Sequence, residues 1–113
     1  MKFKIKERYN AAIIELSGDI MGGPETTEFS NEIKKLLADN KKNIIIDLGQ
    51  VKFMNSSGLG MLISALTTVK KENGNLKLAN ITDKIESLLM ITKLITIFET
   101  YQSVDEAVES LSK

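Results

Sequence analysis

Three consecutive isoleucines, Ile44, Ile45 and Ile46, closed by Asp47, constrain this chain more than any other stretch. Side chains of a strand alternate between its two faces, so an unbroken apolar run needs both faces covered. A helical period follows: Leu59, Leu62, Ile63, Leu66 and Val69 follow i, i+3, i+4, i+7 spacing, the mark of a helix with one buried face. A buried strand that runs into such a helix calls for an α/β fold, with helices packed on a sheet. Between the two lies Val51-Lys52-Phe53-Met54-Asn55-Ser56-Ser57-Gly58-Leu59-Gly60. It reads as a turn that leaves the strand and enters the helix, with hydroxyls and small residues at the join.

The rest of the chain fits around that unit. Phe3 and Ile5 alternate with Lys2, Lys4 and Lys6, which predicts a half-buried strand. Arg8, Tyr9 and Asn10 suit a turn, and residues 12–16 suit a second strand hairpinned to the first. Residues 18–24 are loop chemistry, ending in Gly22, Gly23 and Pro24, and proline suits the first position of a helix. That helix is expected from about Pro24 to Ala38. Glu25 and Glu28 are expected in its first turn, Lys34 and Lys35 late, and Phe29, Ile33, Leu36 and Leu37 share one face. The central strand is expected over residues 43–48 and the second helix from about Ser56 to Lys71. The early outer face of that helix carries Gly60, Met61 and Ser64, small and weakly polar, which suits a contact surface or ordinary helix surface.

After a break at Asn73, Gly74 and Asn75, residues 76–79 form a short strand. Thr82 is placed to cap a third helix, about Asp83 to Ile91, burying Ile85, Leu88 and Leu89. Residues 94–98 read as a short strand or extended edge. Ser103 and Glu106 form a capping box for a last helix that turns Val104, Ala107, Val108 and Leu111 inward. The order β-β-α-β-α-β-α-(β)-α predicts a mixed sheet of four or five strands with about four helices. The opening hairpin is antiparallel and the helix-joined strands are parallel. The pattern alone permits more than one small α/β fold.

Composition narrows the function. The 113 residues are expected to form one domain, 1–113, and 42% hydrophobic content suits a packed core. Fifteen Lys+Arg balance fifteen Asp+Glu, so no global field draws in nucleic acid or an acidic membrane. The chain has no cysteine and no histidine, which excludes disulfides, Cys/His zinc sites and a Ser-His nucleophile. No phosphate-loop motif is present, and no carboxylate pair is proposed by spacing. The start Met1-Lys2-Phe3-Lys4 lacks the apolar core of a signal peptide, and no apolar run approaches the roughly 20 residues of a membrane span. The expectation is a cytoplasmic protein that is not an enzyme, holds no cofactor or metal, and inserts into no membrane.

That leaves the join. Asn55, Ser56 and Ser57 are all good caps for the free N–H groups of a helix start. Gly58 and Gly60 keep the surface low, so another molecule can approach closely. A phosphate on Ser56 or Ser57 would sit at the positive end of the helix dipole and add roughly −1.5 to −2 charge. On local chemistry alone, plain capping is the commoner role for such serines.

The run Phe53-Met54-Asn55-Ser56-Ser57-Gly58-Leu59-Gly60, preceded by Ile45-Ile46-Asp47-Leu48, closely resembles the signature of STAS-domain anti-sigma factor antagonists, F-M-D-S-S-G-L-G. The resemblance extends over nearly the whole chain and includes the turn Gly18-Asp19-Ile20. It implies the compact STAS fold and a partner that is both anti-sigma factor and serine kinase. Binding of that partner releases a sigma factor; phosphorylation of Ser56 switches the binding off, and a phosphatase resets it. Ser57 is the second candidate acceptor. The partner face implied comprises Asp19, Met21, Gly22, Asn55, Ser56, Ser57, Gly58, Gly60 and Met61. The chain departs from the pattern twice: Asn55 replaces the Asp before the phosphoserine, and Met21 replaces an acid in the turn.

The loss of both acids also suits a constitutive adaptor, such as a STAS subunit of a signalling or lipid-transport assembly, in which Ser56 is only a cap. A third reading is a small-ligand or nucleotide module using the free N–H groups at residues 56–58.

Overall fold

The structure, a computed structural model, describes residues 1–8 and 11–111. Five strands form one sheet whose spatial order is the chain order: β1 (Lys2–Arg8), β2 (Ala11–Ile20), β3 (Asn43–Met54), β4 (Asn75–Ala79) and β5 (Glu99–Tyr101). Strands β1 and β2 pair antiparallel, Phe3 opposite Leu16 and Ile5 opposite Ile14. The later pairs are all parallel. Between them run α1 (Pro24–Ala38), α2 (Ser56–Lys71) and α3 (Asp83–Ile91), and α4 (Val104–Ser110) closes the described chain. The α/β class and the mixed sheet are as expected from the sequence. The turn expected at Arg8, Tyr9 and Asn10 lies partly outside the described residues.

The layering follows from handedness. A parallel crossover is right-handed, so a sheet that grows in one direction receives each crossover helix on the same face. The interior therefore has two parts. On one face, Ile14, Leu16, Ile44, Ile46 and Leu78 pack against Phe29, Ile33, Leu62, Ile85 and Leu89 of the three crossover helices. On the other, Ala11, Ile13, Ile45 and Ala79 pack against Ala107 and Val108 of α4. This is why the isoleucine run is apolar at every position: Ile44 and Ile46 face one layer and Ile45 the other. Phe3 meets Phe29 edge-on, with centroids 6.4 Å apart, which ties the hairpin to α1.

Two strands are longer than the sequence suggests. The loop expected at residues 18–24 begins only after Ile20, and the turn expected at residues 51–55 is strand up to Met54. The cause is a pair of bulges in β3. Glu15 pairs with Asp47 but Ser17 with Gln50, and Gly18 pairs with Val51 but Ile20 with Met54. Each shift sets an extra residue of β3 against β2, which breaks the alternation that marks a strand in sequence. The first bulge is held by Asp47, whose Oδ1 accepts from the Gly49 N–H at 2.9 Å and from Asn80 Nδ2 at 2.9 Å. The second bulge leaves Phe53 exposed and returns Met54 to the core.

The far edge also differs. The sequence predicts an extended edge over residues 94–98, but Leu94–Thr96 is a 3-10 turn and the strand is Glu99–Tyr101. Phe98 is buried there and Leu94 and Ile95 pack against the same core, while Ile97 is exposed. Helices α1, α2 and α3 have the expected limits, and the caps Thr82 and Ser103 each accept from the N–H three residues on. Glu25 lies in the first turn of α1, but Glu28 falls just past it. Leu88, Val104 and Leu111 are half-buried rather than fully enclosed.

Candidate functional site

A single residue, Asn55, separates the end of β3 from the start of α2. Its backbone is extended, with φ −96° and ψ −176°, as an N-cap requires. Each of its polar groups is engaged. The N–H donates to the Ile20 carbonyl at 3.2 Å, and the carbonyl accepts from the Leu59 N–H at 3.0 Å. In the side chain, Oδ1 accepts from the Gly58 N–H at 2.8 Å and Nδ2 donates to the Met21 carbonyl at 3.0 Å. Asn55 thus caps α2 and binds the loop between β2 and α1 at the same time.

Two glycines allow the close fit. A Cβ on Gly58 would stand 2.4 Å from the Ile20 carbonyl oxygen and 2.8 Å from both Ile20 Cγ2 and Met54 Cγ. Gly22 has φ +86°, which favours glycine, and a Cβ there would stand 2.7 Å from Ser57 Cβ. The first turn of α2 therefore rests on the end of β2, and the β2–α1 loop rests on Ser57.

The structure brings Asp19, Met21, Gly22, Asn55, Ser56 and Ser57 to one end of the sheet. Asp19, Met21, Ser56 and Ser57 are exposed, and Met21 shows half its surface. Gly60 is also exposed, one turn along α2, with open space around its Cα. Two expected surface residues are elsewhere. Gly58 is buried beneath the helix start, and Met61 is only 4% exposed, in the seam between α2 and α1 near Phe29 and Ile33. Methionine fills such an irregular gap well. The early outer face of α2 is therefore Gly60 and Ser64, without Met61.

The first turn of α2 carries no acidic residue of its own to offset its positive end. Sequence reasoning missed two apolar neighbours of the site. Phe53, 45% exposed, and Ile91 line a shallow groove with Met54, Ile85 and Leu88. Only the second bulge turns Phe53 outward, and nothing in the residue order marks a bulge in a parallel pair. Among the described residues, no group of His, Cys, Asp or Glu gathers to hold a metal ion. Among them too, no helix is long and apolar enough to cross a membrane.

Five strands in chain order, three helices on one face and a capped serine pair at the strand-helix join define a STAS domain, and the STAS domain family matches residues 2–107. The anti-sigma-B factor antagonist of Bacillus subtilis is 32% identical over 94 residues, covering 80% of this chain and 81% of that protein. The chain belongs to the family of STAS-domain anti-sigma factor antagonists. Solved structures share the fold. An anti-sigma factor antagonist from Mycobacterium paratuberculosis superposes with a TM-score of 0.82 at 22% identity, over 99% of this chain and 94% of its own. The Bacillus cell fate determinant SpoIIAA in its phosphorylated form superposes with a TM-score of 0.76 at 17% identity, over 97% and 99%.

Proposed function

We propose that this protein is an anti-sigma factor antagonist switched by phosphorylation of Ser56. It binds an anti-sigma factor with serine kinase activity in the cytoplasm, releases a sigma factor, and performs no catalysis itself. The observation that carries this reading is the setting of Ser56. It is exposed, stands at the first position of α2, and lies between Asn55, which bonds the Met21 carbonyl, and Ser57, which meets Gly22, in a helix start free of acidic residues. The similarity to an anti-sigma-B factor antagonist supports the choice of partner.

The switch is electrostatic. The unmodified face offers small neutral groups and one exposed methionine, with Asp19 as its acid. A phosphate there adds roughly −1.5 to −2 charge to a contact shaped for a hydroxyl. Like-charge repulsion and desolvation of the phosphate oppose docking, and each ~1.4 kcal/mol lost is tenfold in affinity. Ser57 is the alternative acceptor; its Cβ rests against Gly22.

Parallel pull-downs from the source bacterium with Ser56→Ala and Ser56→Asp baits, read by mass spectrometry, test the proposal. The expected result is a kinase-like anti-sigma factor held by the Ala bait and lost by the Asp bait. If both baits hold the same transporter or scaffold protein, Ser56 is only a cap and the domain is a constitutive adaptor.

A further inference from the structure

The end of the sheet that carries Ser56 is built from two separate pieces of chain, the β2–α1 loop and the start of α2. Two bonds from Asn55 cross between them: its N–H to the Ile20 carbonyl and its Nδ2 to the Met21 carbonyl. The first is backbone and independent of residue type. The second needs a side-chain donor. Asn55 Oδ1 is already committed to the Gly58 N–H, so the amide is used at both ends.

An ionised carboxylate in this position only accepts. One oxygen would keep the cap, and the other would face the Met21 carbonyl oxygen with no proton between them. A serine would also cap, but its hydroxyl is too short to reach the loop while bonded to Gly58. Among capping side chains, the amide alone both caps α2 and holds the loop at neutral pH.

We infer that Asn55 is a positioning residue: its amide latches the Met21 carbonyl and so fixes the β2–α1 loop and the Ser56–Ser57 turn as one rigid face. Gly22 completes the latch. Its positive φ and its contact with Ser57 let the loop lie flat on the helix start, where a side chain would hold it off. Pre-set faces bind with less ordering cost, and this face carries the exposed Met21 and Ser56. The latch itself needs no partner; its importance for recognition rests on the proposed role of Ser56.

The test uses the isolated full chain and 15N relaxation of the amides of Met21, Gly22 and Gly23, with Asn55→Asp and Asn55→Ser as variants. The Gly58 amide shift reports in each case that the cap is intact. In the wild type the three order parameters should lie near the rigid value of about 0.85. At pH 7 both variants should fall below about 0.6. Lowering the pH through the ordinary Asp range, about 3.9, gives the introduced carboxyl of N55D a proton to donate to the Met21 carbonyl. N55D should then regain order and N55S should not.

The flanking elements carry other titratable groups: Glu15 and Asp19 of β2, Glu25, Glu28, Glu32, Lys34 and Lys35 of α1, Asp47 and Lys52 of β3, Lys70 and Lys71 of α2, and Asp83, Lys84 and Glu86 of α3. They are shared by all three proteins, so the wild type scanned over the same pH removes their effect. Equal order in all three proteins at pH 7 overturns the latch. So does a folded N55D that stays loose in acid. If N55D unfolds before its carboxyl is protonated, N55S against wild type at pH 7 decides alone. None of these readouts involves a kinase, so failure of the latch and failure of the Ser56 switch are seen separately.

Discussion

The backbone carbonyl of Ile20 lies where a side chain on Gly58 would begin: a Cβ there would stand 2.4 Å from that oxygen. The same carbonyl accepts from the Asn55 N–H, so it is not free to move aside. The helix start and the end of β2 are therefore in backbone contact, and Gly58 is a packing residue rather than a surface one.

Gly58→Ala is expected to destabilise the fold by about 1–3 kcal/mol, the usual cost of forcing a methyl into a filled space. Gly60→Ala, two positions on and facing open space, should stabilise by about 0.5–1 kcal/mol through lower chain entropy. Thermal melts of the two variants should shift in opposite directions. Equal shifts would contradict the described contact.

Ser56→Asp should raise stability while it weakens partner binding. A carboxylate at the first position of α2 meets the positive end of a helix with no acidic residue in its first turn, a gain of about 0.3–1 kcal/mol at low salt. Urea melts at low and high ionic strength check this, because screening should remove the gain. A variant that binds poorly because it is unfolded would show the reverse.

Asp47→Ala should cost about 1–3 kcal/mol, since it leaves the half-buried Gly49 N–H and Asn80 amide without their acceptor. The first bulge should loosen with it. Amide exchange at Gly49 and Gln50 should quicken more than at Ile44 or Ile46.

Lys77 is a buried cation, 6% exposed, bonded to Glu99 at 3.4 Å and to the Tyr101 hydroxyl at 3.2 Å. Its stem is already desolvated, so Lys77→Met should cost less stability than Glu99→Ala, which leaves the buried cation with Tyr101 and no counter-charge. Denaturant midpoints of the two variants measure the order. It would be refuted by Glu99→Ala being the milder change.

The helices are legible in the sequence because each carries a full period or a cap: Phe29, Ile33, Leu36 and Leu37 in α1, Thr82 and Ile85 in α3. The central strand is legible from Ile44, Ile45 and Ile46, which fill two layers at once. What is not legible lies where tertiary contacts override local pattern. Gly18, Asp19 and residues 51–54 carry turn-like or broken patterns, yet they are strand, because two bulges absorb the irregularity. Residues 94–98 have strand composition, yet Phe98, Leu94 and Ile95 serve the core and the ladder starts one residue later. At the site, Ser56, Ser57 and Asn55 are legible as caps at a helix start. The inward turn of Met61 is not, because it depends on how closely α1 approaches α2, and no residue spacing records that distance.

Because the strands lie side by side in the order in which they are translated, the protein is assembled much as it is read. Ile20, Met21, Asn55 and Gly58, which build the corner at the strand-helix join, all lie within residues 20–58. A ribosome delivers that part first. The corner's backbone contacts can form while β4, α3 and α4 are still to be synthesised, and the later elements then extend the sheet away from a surface whose connections are already drawn.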